Sequence, residues 1–140
     1  MAMDYVSAHL SRDEVVDYLA TLPSVLAEMG FAECNVMYGW DCDLPIDDLW
    51  QDRIIKVSEL HSFVALSIER GIFRPGASDL FVSSLDGALS IRACHESDIH
   101  LGSTSEATLA ALAAPIATRH PEFNYKQGES WKVRAFRGLP

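Results

Sequence analysis

Positive charge is scarce in this chain. Lys and Arg number 11 against 20 Asp and Glu, giving a net charge of −9 at pH 7. A nucleic-acid binder needs a basic footprint, so direct contact with a phosphate backbone is disfavoured for most of the surface. The deficit is uneven: residues 1–118 hold 18 acids and 6 bases, whereas residues 119–140 hold 5 bases and 2 acids. Acidic surface favours basic partners and speeds encounter with them, although it also serves plain solubility.

Long apolar runs are missing as well. None approaches the span of a membrane helix, and MAMDYVSAHLSRDE has neither the basic start nor the apolar centre of a secretion signal. Cysteine is sparse: Cys34, Cys42 and Cys94 are odd in number and lack C-x-x-C pairing. They read as free thiols in a reducing compartment, and the cytoplasm is expected. There is no G-x-S-x-G elbow, phosphate loop, dinucleotide fingerprint or H-E-x-x-H helix, so no cofactor is implied. Internal repeats and low-complexity linkers are absent too. What remains is a 140-residue chain, 49% hydrophobic, long enough for one domain with its own core.

The chain is organised around Asp79–Leu101, DLFVSSLDGALSIRACHESDIHL. Asp86-Gly87 signals a β-hairpin with a two-residue type I′ loop. That loop sets Leu80 opposite Ala93 and Val82 opposite Ile91. Leu80, Val82, Leu89, Ile91 and Ala93 then share an apolar face, and Phe81, Ser83, Ser90, Arg92 and Cys94 take the other. If the second strand runs on, Cys94, Glu96, Asp98 and His100 form a polar row at its end. Such residues can ligate zinc and similar ions, but a straight strand spreads them apart and the usual metal spacings are absent. The plainer reading is a partly exposed strand end. Cys94 beside His95 suggests a nucleophile and base, yet neighbours on a strand point to opposite faces.

Ser11-Arg12-Asp13-Glu14 has the form of a capping box. Val15, Leu19, Leu22, Leu26 and Met29 continue it as a helical stripe, in which Pro23 predicts a kink or a break. Residues 34–40 read as a strand with Cys34, Val36, Tyr38 and Trp40 on one face. Between Asp41 and Asp52 stand five acids (Asp41, Asp43, Asp47, Asp48, Asp52) and no base, with Trp40 and Trp50 at the margins. Asp41 and Asp43 could hold a divalent ion, but no calcium-loop pattern is present and Pro45 breaks the spacing. Tryptophan anchors protein interfaces, and acids around it would select a basic partner.

Ile54–Val57 is a candidate short strand, Ser58 a candidate N-cap, and Leu60, Phe63, Val64 and Ile68 mark a helix that Gly71 stops. Arg74-Pro75-Gly76-Ala77 fits a type II turn. Ser103-Thr104-Ser105-Glu106 resembles a second capping box ahead of an alanine-rich helix that Pro115 should kink or end. His120–Gly128 reads as loop and Trp131–Phe136 as a last strand. The expected fold is α+β: a mainly antiparallel sheet with a central hairpin over residues 79–101, covered by about three helices.

Val57–Leu101, with its helix ending ERGIFRPG, then SDLFVSSLDG and CHESDIHL, resembles the small immunity proteins of bacterial polymorphic toxin systems, such as those of Rhs and type VI secretion. The resemblance implies a non-enzymatic inhibitor kept in the producing cell's cytoplasm that masks a cognate toxin, often one with a basic cleft. Asp41, Asp43, Asp47, Asp48 and Trp50 would then contact the toxin, with Glu96, Asp98 and His100 as a second patch. Two other classes stand beside it: a metal-dependent hydrolase using Glu96, Asp98 and His100, and a chaperone or adaptor of a secreted effector, which would bind an unfolded segment instead.

Overall fold

The capping box forms as its residue types dictate. Glu14 N–H donates to Ser11 Oγ (3.2 Å) and Ser11 N–H donates to the Glu14 carboxylate (3.0 Å), starting helix α1 at Arg12–Glu28. Its stripe of Val15, Leu19, Leu22 and Leu26 is buried. The helix runs through Pro23 as one element rather than two. In this computed structural model, which describes residues 3–137, α1 packs against two further helices, α2 (Leu60–Glu69) and α3 (Glu106–Ala117). Pro115 is likewise accommodated inside α3.

The strands are β1 (Met3–Ser7), β2 (Glu33–Tyr38), β3 (Arg53–Lys56), β4 (Leu80–Ser83), β5 (Leu89–Ala93), β6 (Ile99–Ser103), β7 (Glu122–Gln127) and β8 (Ser130–Ala135). They form one antiparallel sheet in the order β3-β2-β4-β5-β6-β1-β7-β8. The α+β expectation holds. Across the sheet, Val36, Val82, Ile91, Leu101, Tyr5 and Tyr125 are register partners in turn, and they face the helices. One residue over, Met37, Phe81, Arg92, His100, Val6 and Asn124 line the opposite, helix-free face.

The β4–β5 register matches the expectation: Leu80 pairs with Ala93 and Val82 with Ile91. The turn type does not. Gly87 N–H donates to Ser84 O, and of the Asp-Gly pair only Gly87 has positive φ (74°), whereas type I′ requires both. The larger correction lies beyond Ala93. The strand ends there, the chain turns through Cys94–Ser97, and β6 returns beside β5 with Arg92 opposite His100.

Other expectations shift by a few residues. The helix over 60–69 starts from Glu59, not Ser58, after a 3-10 turn at Val57–Glu59. Ser105, not Ser103, caps α3 by accepting from Thr108 N–H; Ser103 is the end of β6 and its Oγ donates to Ala88 O. Residues 122–127, expected as loop, are β7, with Phe123 buried. Trp40 lies past the end of β2 and is exposed. Gly71 (φ 72°) follows α2 as expected, and the 74–77 turn forms, with Ala77 N–H donating to Arg74 O and Gly76 at φ 82°. No helix among the described residues is long and apolar enough to cross a membrane.

His120 Nε2 sits 2.7 Å from Glu14 Oε2, joining the exit of α3 to the start of α1. The bond from Ser11 N–H, then His120, hold the Glu14 carboxyl below its usual range. A depressed folded pKa stabilises above the unfolded value, and the benefit is lost as pH falls through the folded one. Glu14→Gln is therefore expected to lower the urea midpoint at neutral pH and to converge with the parent in acid. A deficit that persists once Glu14 is protonated would contradict this.

Candidate functional site

The helix-free face ends in two loops that meet. The β2–β3 loop carries Trp40, the five aspartates and Trp50; the β5–β6 turn carries His95 and Glu96. Asp79, just before β4, ties them together. Its carboxylate is 1% exposed and accepts from Arg92 Nη2 (3.0 Å), His95 N–H (2.6 Å) and His95 Nδ1 (2.8 Å). Its backbone N–H donates to Trp40 O (2.8 Å), while its carbonyl accepts from Gly39 N–H (3.1 Å) and the Cys42 thiol (3.1 Å). Burying a carboxylate is costly unless its lone pairs find donors, and here Arg92 at the end of β5 and His95 in the turn after it supply three.

Aromatic rings continue the link. Trp40 packs beside His95 (ring centroids 6.1 Å), Trp50 beside Phe81 (5.9 Å), and the Arg92 guanidinium lies over Phe81 (5.4 Å). Both tryptophans remain open to solvent, Trp40 at 58% and Trp50 at 51%, and Ile46 between them is 82% exposed. Asp47 and Asp48 are exposed on a 3-10 turn at Ile46–Asp48. Asp41 and Asp43 line a shallow depression with Cys42, Gly71 and Arg74, and Arg74 Nη2 donates to Asp41 O (3.0 Å). That guanidinium already places a cation beside the two aspartates.

The second group of expected contacts divides. Asp98 and His100 are bonded (2.9 Å) on the helix-free face. Glu96 is 73% exposed and instead lies 3.8 Å from His95 Nε2. The three residues suggested for a hydrolase are thus not brought together. Burial pushes the Asp98 carboxyl up, but bonds from His100 and Cys94 and the nearby Arg92 outweigh it and hold it below the usual range.

Cys94 and His95 do approach each other, at Sγ···Nδ1 3.8 Å, because they stand in a turn and not on a strand. The contact does not make a nucleophilic pair. Asp79 engages the same imidazole nitrogen, whereas a base must meet the thiol on one nitrogen and its orienting carboxylate on the other. Burial also pushes the Cys94 thiol up, away from the reactive thiolate.

Sequence pattern alone passes over Asp79, and it weighs His95 only as a base for Cys94. The hairpin register already places Phe81 and Arg92 on one face, but nothing local in the sequence marks Asp79 as buried. Compared with protein-family models, curated proteins and solved structures, the chain matches none.

Gly39 is where the rings press on the backbone. A Cβ there would stand 2.7 Å from Phe81 Cε2 and 2.9 Å from Trp50 Cζ3. Gly39→Ala is expected to push these rings aside, to lower stability by about 1–3 kcal/mol, and to change tryptophan emission. Unaltered emission with unaltered stability in urea titration would show that the rings do not seat on Gly39.

Proposed function

We propose that the protein is a non-enzymatic immunity protein that binds a cognate bacterial toxin domain and masks its active or substrate-binding site. The observation that carries the reading is the loop from Trp40 to Asp52, which displays three large apolar side chains, Trp40, Ile46 and Trp50, among five aspartates. Exposed apolar groups on a loop have no role in the core. Framed by one sign of charge, they suit a docking surface whose partner is basic.

Trp50 and Trp40 act as anchors, Asp47 and Asp48 supply the exposed charge, and Asp41 and Asp43 extend it toward Arg74. Asp98 and His100 stand at the same end of the sheet, where β6 begins beside the end of β5. Glu96 adds a further charge at the turn. Work in the cytoplasm of the producing cell fits three free cysteines, and masking requires no cofactor. A chaperone would need an extended groove for an unfolded segment; the loop offers projecting rings suited to a folded partner.

The test pairs this chain with the toxin domain encoded beside its gene. The toxin is expected to be lethal alone and harmless when co-expressed. Reversing both Asp47→Lys and Asp48→Lys should weaken binding at least about tenfold, roughly 1.4 kcal/mol, with the circular dichroism spectrum and melting temperature unchanged. Equal affinity in calorimetry would reject this loop as the contact.

A further inference from the structure

We propose that Cys94, Asp98 and His100 form a binding site for a divalent transition-metal ion of the zinc class, a role that does not rest on the toxin-masking reading even though Asp98 and His100 border that surface. On an extended strand these side chains would be strung out. The turn at 94–97 changes that by folding the chain back, so that Cys94 N–H donates to Asp98 O (2.9 Å) directly across the hairpin. Register places Arg92 opposite His100 and Ala93 opposite Ile99. Cys94 and Asp98 therefore return to the same face as Arg92 and His100, giving four side chains at the corners of one patch.

Three of those corners carry metal donors. Cys94 Sγ, a carboxylate oxygen of Asp98 and a ring nitrogen of His100 all lie within 4.8 Å of one another. The fourth corner, Arg92, directs its guanidinium to Asp79 at 3.0 Å. Thiolate, imidazole and carboxylate together are a borderline-soft donor set, which selects Zn(II) or Co(II) over Mg(II) or Ca(II). Thiolate and carboxylate charges would balance a dication, and the thiol proton leaves to solvent as the metal binds. Asp98 and His100 are partly exposed, which gives an ion its entry and leaves room for water as a fourth ligand.

The turn is held ready for this. Ser97 has φ 62° and donates its N–H to Cys94 O (3.0 Å). Its Oγ donates to Leu10 O (2.7 Å), and its carbonyl accepts from Leu10 N–H (2.8 Å). Gly76 leaves room for it, since a Cβ there would meet Ser97 Oγ at 2.7 Å. Donors on a clamped turn lose little freedom on binding.

Co(II) titration of tag-free protein tests the site. One equivalent is expected to produce a near-ultraviolet thiolate-to-cobalt charge-transfer band, Zn(II) to displace it, and either ion to raise the melting temperature. Cys94→Ser should abolish the band. His100→Gln, which alters a partly exposed side chain, should weaken Co(II) binding by about tenfold or more without changing the circular dichroism spectrum. Glu96→Gln, outside the three donors, should leave the band and the Co(II) affinity as in the parent. No band at saturating Co(II), a band that survives Cys94→Ser, or undiminished affinity in His100→Gln would overturn the proposal.

Discussion

The buried carboxylate of Asp79 is the constraint on which the binding end of the molecule depends. It lies where β4 begins and draws in Arg92 from β5 and His95 from the β5–β6 turn, while its backbone fixes Gly39, Trp40 and Cys42 of the β2–β3 loop. Removing one partner from a buried ion pair typically costs about 3–5 kcal/mol; Arg92 and His95 are each about a third exposed, and solvent lowers that figure at Asp79. The larger consequence is geometric. Two loops distant in sequence become one surface.

Backbone strain gathers on the same surface. Asp41, Trp50 and Ser97 are the described non-glycine residues with positive φ, at 61°, 60° and 62°. Left-handed conformations cost roughly 1–2 kcal/mol each for L-residues, so something must hold them. Trp50 N–H donates to Tyr38 O (2.8 Å) and its ring seats over Gly39; Ser97 is bonded to Leu10 through both its Oγ and its carbonyl. Strain of this kind clusters at working sites because neighbouring contacts over-determine it. The result is a set of apolar rings and carboxylates fixed before any partner arrives, which reduces the ordering that binding must impose.

How much of this the sequence reveals depends on the range of the interactions involved. The α1 capping box, the burial of its stripe, the 80–93 register and the 74–77 turn follow from contacts a few residues apart. Strands β1 and β7 escape notice because their inward side chains are few and mixed in type, Met3, Tyr5 and Ser7 in one and Phe123 with Tyr125 in the other, too little for an apolar period to register. The place of β1 beside β6, and of β7 beside β1, comes from pairing between opposite ends of the chain. The 94–97 turn is hidden for a related reason. Ser97 occupies a position where glycine or asparagine would have announced a turn, and distant bonds from Leu10 make serine acceptable there. Without that turn, Glu96 falls on a row it does not share and the approach of Cys94 to Asp98 is concealed. The acidic loop, by contrast, is plain in composition alone, while the carboxylate that orders it is not.

Hydrogen exchange on Asp79→Asn against the parent tests the central role of this carboxylate most directly. An asparagine of equal size keeps one acceptor but cannot serve Arg92 and His95 together. Faster exchange is expected at the His95 and Ser97 amides and through Gly39–Cys42, with the amides of Leu19 and Leu22 in α1 protected as before. Protection at His95 and Gly39 equal to that of the parent would mean that the two loops hold their places without the Asp79 charge, and would contradict its role as the tie between them.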